Sequence, residues 1–154
     1  MPSFESADEY AVPPAAVFAL LRRPAVLVQL APPEMHLQVE SGPDELGFGS
    51  RLVLRGRRWG VPQRVVSEVT VFEPDALLVL EQRQGPFRRW THTQRLESPA
   101  EGRSRLSERV EYEPPGGLLG LTVTAAFLER ELTNLFAFRR KKLAELVNGS
   151  GIAP

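Results

Sequence analysis

LTVTAAFLERELTNLFAFRRKKLAELV, residues Leu121 to Val147, is the longest run of helical periodicity in the chain. On a 3.6-residue period Leu121, Ala125, Leu128, Leu132, Leu135, Phe136, Leu143 and Leu146 fall on one side, with Arg130, Thr133, Ala137, Arg140, Lys141 and Ala144 opposite. The pattern predicts an amphipathic helix. At about 1.5 Å per residue it reaches about 40 Å, enough to cross the face of a twisted sheet. Pro114, Pro115, Gly116, Gly117 and Gly120 punctuate its start, and Asn148, Gly149 and Gly151 its end. Arg139 to Lys142 fall where the negative end of the helix dipole favours cations. Phe127 and Phe138 lie off one edge of the stripe, and Arg139 interrupts it. Three readings of Arg139 stay open: the helix has run past the sheet, the side chain snorkels, or it pairs with a carboxylate.

The strands that such a helix would cover precede it. Ser3 to Val12 reads as a first strand anchored by Phe4, stopped by Pro13 and Pro14. Ala15–Leu21 is a short helical run, with Pro14 suited to a first helical turn, and after Arg22, Arg23 and Pro24 a second run, Ala25–Leu30, ends at Ala31, Pro32 and Pro33. From Glu34 the period becomes two: Met35, Leu37 and Val39 alternate with polar residues, and after a turn at Gly42 to Gly47 so do Phe48, Leu52 and Leu54. Val61–Phe72 and Asp75–Gln84 form a hairpin around Pro74. With residue 72 opposite 77, Val69 and Val71 share a face with Leu78 and Leu80. Phe87–Leu96 and Ser104–Tyr112 form the last hairpin. Pairing 96 with 104 sets Trp90 against Val110, His92 against Glu108 and Gln94 against Leu106. A three-residue turn at Gln84 to Pro86 keeps His92 on the face of Leu78 and Leu80, and a two-residue turn reverses it. The expected architecture is α+β: a curved antiparallel sheet of about seven strands around a long C-terminal helix, with two short helices after the first strand.

Composition narrows the function. The 154 residues read as one domain over 1–147 with a flexible tail over 148–154. The absence of cysteine removes disulfides, thiolate catalysis and cysteine-based metal sites. Nineteen basic residues balance nineteen acidic ones, which argues against a nucleic-acid partner; Arg55, Arg57 and Arg58, and Arg88 with Arg89, are candidate basic patches, and alternating arginines on a strand read as its solvated face. The N-terminus carries Glu5, Asp8 and Glu9 rather than a secretory signal, and no stretch approaches a membrane span, so the default reading is a cytoplasmic protein.

Several stretches together resemble the START-like (SRPBCC) superfamily, which includes polyketide cyclases and dehydratases, lipid-transfer domains and plant pollen-allergen relatives. They are Val12-Pro13-Pro14 with Val17-Phe18; Pro86-Phe87 followed by Trp90-Thr91-His92; Leu106 to Pro114; Gly117 to Gly120; and Phe138-Arg139-Arg140. The chain is most similar to the cyclase/dehydrase-type ligand-binding branch. Related sequences often carry aspartate where Glu108 stands. The resemblance implies a helix-grip fold with an apolar cavity between sheet and helix for a lipid-like or polyketide-like molecule.

The strongest candidate for chemistry is His92 with Glu108, flanked by Tyr112 and Trp90: a carboxylate can orient an imidazole and raise its basicity, as proton abstraction beside a carbonyl requires. The structural alternative is that Glu108 satisfies a partly buried histidine. His36 and His92 are the two histidines, without metal-ligand spacing, so neither metal nor cofactor is expected. The favoured function is noncatalytic binding of a hydrophobic small molecule. Its expected lining combines Leu52, Leu54, Val69, Leu78 and Leu80 with Trp90, His92, Glu108, Val110 and Tyr112, closed by Leu128 and Leu132 of the helix. A cyclase or dehydratase using His92 and Glu108, and a protein-interaction module, are the alternatives; the sequence leaves oligomeric state open.

Overall fold

The structure, a computed structural model, describes residues 2–58, 60–117, 120 and 123–149. Strand β1 (Ser3–Tyr10) is followed by helices α1 (Pro14–Leu21) and α2 (Pro24–Gln29), then strands β2 (Gln38–Ser41), β3 (Arg51–Arg58), β4 (Val61–Glu73), β5 (Leu77–Gln84), β6 (Arg89–Glu97) and β7 (Ser104–Glu113). Helix α3 (Ala125–Gly149) is the last element among the described residues. The sheet is fully antiparallel in the order β1-β7-β6-β5-β4-β3-β2, so β2 to β7 form a meander and β1 adds at the β7 edge. This curved seven-stranded sheet with one long helix across it is the expected helix-grip architecture.

Helix α3 starts where Thr124 Oγ1 accepts the Phe127 amide at 3.1 Å, satisfying a donor that the first turn leaves over. Its buried face is Leu128, Leu132, Phe136, Arg139, Leu143 and Val147. Leu121 of the expected stripe, and Ser150 to Pro154 of the expected tail, lie outside the described residues. Because the helix continues to Gly149, Arg139 to Lys142 sit two turns before its end, and its last turn holds no basic residue.

Three local expectations need correction. Glu34 to Leu37 is not strand: Pro33–Met35 forms one 3-10 turn, and His36 takes a left-handed conformation (φ 47°) before β2 begins. Proline favours such a turn start. Phe48 is not on a strand face but 76% exposed, in a turn closed by Ser50 N to Gly47 O at 3.0 Å and Gly47 N to Ser50 Oγ at 2.9 Å. Val71 is not inward. Phe72 pairs with Leu78 rather than residue 77, and a bulge between Val69 and Val71 turns Val71 outward (39% exposed) while Val69 stays buried.

Two apolar clusters fill the space between helix and sheet. One gathers α1, α2 and the far end of α3 with Leu52, Val69, Leu78, Leu96 and Leu106. The other gathers Phe87, Val110, Tyr112, Leu128, Leu132 and Phe136. Along β7, Glu108 lies between Leu106 of one cluster and Val110 of the other; along α3, Arg139 lies between Phe136 and Leu143. A buried polar seam thus separates the two clusters.

Candidate functional site

On the outer face Arg55 and Arg57 are exposed, as expected, and Glu40 takes Arg55 at 3.5 Å and Arg64 at 2.8 Å; Arg58, expected with them, instead lies half-buried on the inner face over the Phe87 and Trp90 rings. The seam lies on the inner face, and strand alternation aims it. In β6, Trp90, His92, Gln94 and Leu96 point inward; in β7, Leu106, Glu108, Val110 and Tyr112 do. The register differs from the expected one by two residues: Trp90 pairs with Tyr112, His92 with Val110 and Gln94 with Glu108. A shift of two preserves the face, so His92 and Glu108 become diagonal neighbours that still meet, Nε2 to Oε1 at 2.9 Å. Leu80 pairs with His92, which fixes the imidazole on the inner face.

The third reading of Arg139 is the one realised. Its Nε donates to Glu108 Oε1 at 2.9 Å and Oε2 at 3.1 Å, and Nη2 donates to Gln94 Oε1 at 2.8 Å. All three residues are buried. Gln94 Nε2 has no hydrogen-bond partner among the described residues. Burial by itself would raise the Glu108 carboxyl pKa, but Arg139 and the His92 contact outweigh it and hold the group below its ordinary range. Burial pushes the His92 imidazole down, Arg139 adds to this, and Glu108 opposes without prevailing. The state that follows is a neutral imidazole whose Nε2–H donates to an ionised Glu108, leaving Nδ1 with a lone pair.

Beside the seam lies a cavity of about 200 Å³. Its apolar wall comes from Leu27, Leu30 and Ala31 around α2, Leu52 and Leu54 of β3, Val65 and Leu80, with Trp90, Leu135 and Phe136 across from them. His92, Gln94 and Arg139 reach one side, and Arg57, Arg58, Gln63 and Gln82 add polar groups from β3 to β5. Of the residues expected to line it, Leu52, Leu54, Leu80, Trp90 and His92 do. Glu108 stands behind His92, bonded to it. Val69, Leu78, Val110, Tyr112, Leu128 and Leu132 are buried in the two clusters instead. Helix α3 packs down on the β1–β7–β6 side, where Phe136 meets Phe4 at 5.0 Å between ring centroids. That contact fills the space there and leaves the opening toward β3, β4 and β5.

Sequence reasoning missed Gln94, Arg58 and the residues from α2 to Leu37. The first two carry the period-two signal, since Gln94 follows His92 and Arg58 follows Leu52, Leu54 and Gly56 on the same face. The others sit in connections whose packing no local pattern encodes. Gly56 shows how close that packing is: a Cβ there would stand 2.7 Å from the Met35 carbonyl oxygen. Among the described residues no group of three His, Cys, Asp or Glu side chains could hold a metal, and no helix is long and apolar enough to cross a membrane.

A curved antiparallel sheet gripping a C-terminal helix, with a cavity between them, defines a START-like domain. The chain belongs to the polyketide cyclase/dehydrase and lipid transport family, which matches residues 1–146. Among solved structures it is similar to a Thermus thermophilus protein (18% identity, TM-score 0.77, covering 97% of this chain and 99% of that one). It is also similar to a START superfamily protein from Mycobacterium smegmatis (12%, 0.74, 96% and 97%) and to an aromatase/cyclase from a Streptomyces species (15%, 0.71, 96% and 93%). At these identities the likeness is one of fold. No curated protein matches the chain.

Proposed function

We propose that this protein binds one small, largely apolar molecule in the cavity between β3–β6 and α3 and holds it without chemical change. The observation that carries the reading is the cavity itself, walled by Leu27, Leu30, Leu52, Leu54, Leu80 and Trp90. A pocket of this kind, apolar with a few convergent polar groups, is what small-molecule recognition uses. Its size limits the occupant. About 150 Å³ accepts a benzene-sized molecule, so about 200 Å³ suits roughly ten non-hydrogen atoms. That is a short acyl chain or a fused pair of rings within the gap itself, which is open to solvent on one side.

The seam supports a binding role over a catalytic one. Burial depresses the basicity of His92 and Arg139 adds to this, so the hydrogen bond and charge of Glu108, which oppose the fall, do not restore it. A general base needs the opposite tuning. A cyclase or dehydratase reading keeps one observation in its favour, that His92 lines the cavity. His92→Ala separates the two: a carrier keeps its affinity, whereas a catalyst keeps ligand and loses turnover.

Native mass spectrometry of the purified protein, followed by titration with octanol, tests the binding role. One bound molecule per chain is expected, with loss of binding in Leu54→Trp, which places an indole in the cavity. Undiminished binding by a folded Leu54→Trp, or no binding by the unmodified protein, would overturn the reading.

A further inference from the structure

Among the described residues three buried side-chain atoms lack a hydrogen-bond partner: Tyr10 Oη, Ser104 Oγ and Gln94 Nε2. Of the three residues, Gln94 alone belongs to the cavity wall. Its side chain is buried, and the orientation of its amide is fixed. Arg139 Nη2 donates to Gln94 Oε1 at 2.8 Å, and a guanidinium offers no lone pair, so the oxygen must face Arg139 and the nitrogen is the end left over. Arg139 is itself held through Nε by both Glu108 oxygens, at 2.9 and 3.1 Å, so the amide cannot turn over without breaking the seam. An amide nitrogen with two N–H donors is thereby fixed where the seam meets the cavity. Buried donors normally have acceptors.

We propose that Gln94 Nε2 donates a hydrogen bond to an uncharged carbonyl oxygen of the ligand, so that the cavity selects a compact ketone or ester over a hydrocarbon of the same shape. The inference rests on the binding role proposed above and names the class of ligand. An acceptor is required because both hydrogens of the amide nitrogen are donors. An uncharged one follows from the balance of the seam. Glu108 and Arg139 already compensate each other at 2.9 Å, and a ligand carboxylate would bring a second negative charge toward Glu108, whose partner is committed. The donor is also preorganised: Arg139 holds the amide in place, so little further ordering accompanies binding. A buried donor left without an acceptor carries the full cost of its desolvation. A carbonyl ligand removes that cost, whereas a hydrocarbon leaves it in place, and the apolar body of either packs on Leu30, Leu52 and Leu54.

Indanone and indane, fused ring pairs that differ by one carbonyl oxygen, test this by isothermal titration calorimetry on the full chain. Gln94→Met keeps an unbranched side chain and removes the donor, and in it the affinity for indanone relative to indane is expected to fall about tenfold. Infrared difference spectroscopy gives a second readout. The carbonyl stretch of indanone bound to the unmodified protein should lie below its frequency in hexane and return to that frequency in Gln94→Met, which a merely structural role for Gln94 would not produce. An unchanged affinity ratio in a folded Gln94→Met, or a hexane-like stretch in the unmodified protein, would overturn the proposal and leave the cavity as a site for apolar surface alone. Binding of neither compound would remove the binding role, and the acceptor site with it. Far-UV circular dichroism verifies the variant's fold. Should it not fold, the carbonyl stretch in the unmodified protein decides.

Discussion

Arg139→Met tests whether the buried seam joins helix to sheet as described. The substitution keeps a long unbranched side chain and removes the guanidinium that gives Glu108 two hydrogen bonds, at 2.9 and 3.1 Å, and Gln94 one, at 2.8 Å. Glu108 is only 4% exposed, and afterwards it keeps His92 alone as a partner. Removing one member of a buried ion pair costs about 3–5 kcal/mol, because the other charge stays behind without compensation. Domains are typically stable by about 5–15 kcal/mol, so the loss is a large share of the total. Thermal midpoints of chains this size move by about 2–4 °C per kcal/mol, which gives a fall of roughly 6–20 °C. Urea unfolding followed by fluorescence and by circular dichroism measures the free energy directly. The double variant Glu108→Leu with Arg139→Met, which removes both charges, should recover most of the loss. A cost below about 1 kcal/mol for the single variant, or no recovery in the double, would refute the coupling.

The same groups fix the sign of the pH dependence. The folded pKa of His92 lies below its ordinary 6.5, so the unfolded chain binds more protons and stability falls as pH drops below that value. Glu108 titrates below its ordinary 4.5 in the folded state; its stabilisation is present above that value and is lost as pH falls through the folded pKa. Urea midpoints measured across acid pH should therefore decline in two stages, and His92→Gln should flatten the first. Gly56→Ala would drive a methyl group into the Met35 carbonyl oxygen at 2.7 Å; a loss of about 1–3 kcal/mol in chemical denaturation is expected, with weakened ligand binding as the 3-10 turn moves off the cavity rim. Leu128→Ala, in the filled cluster away from the cavity, should cost about 2–5 kcal/mol in the same assay while leaving ligand affinity within a factor of two or so.

Element type was legible in the residues because each signal is local. Prolines at 14 and 24 open the two short helices, alternation marks β3 to β7, and the apolar period of Leu128, Leu132, Phe136 and Leu143 marks the buried face of α3. Facing was legible only in part: the register error of two residues in β6–β7 leaves those side chains on the expected side, but the sequence left the turn at Gln84 to Pro86, and with it the face of His92, open until the pairing of Leu80 with His92 fixed it. What sequence could not decide needs contacts between distant elements. Whether Arg139 snorkelled or paired depended on where α3 crosses β7, and the crossing places Glu108 beneath it at 2.9 Å. The bulge after Val69 turned Val71 outward because backbone pairing with β5 overrode simple alternation. The cavity depended on tertiary packing most of all. Helix α3 settles on β1, β7 and β6 through Phe136 and Phe4, which buries Leu128, Leu132, Val110 and Tyr112 as solid core and leaves the space beside β3 to β5 for α2 and Arg58 to border. A pattern of apolar residues determines which side chains leave water; only the docking of one layer on the other determines which of them touch and which face a gap.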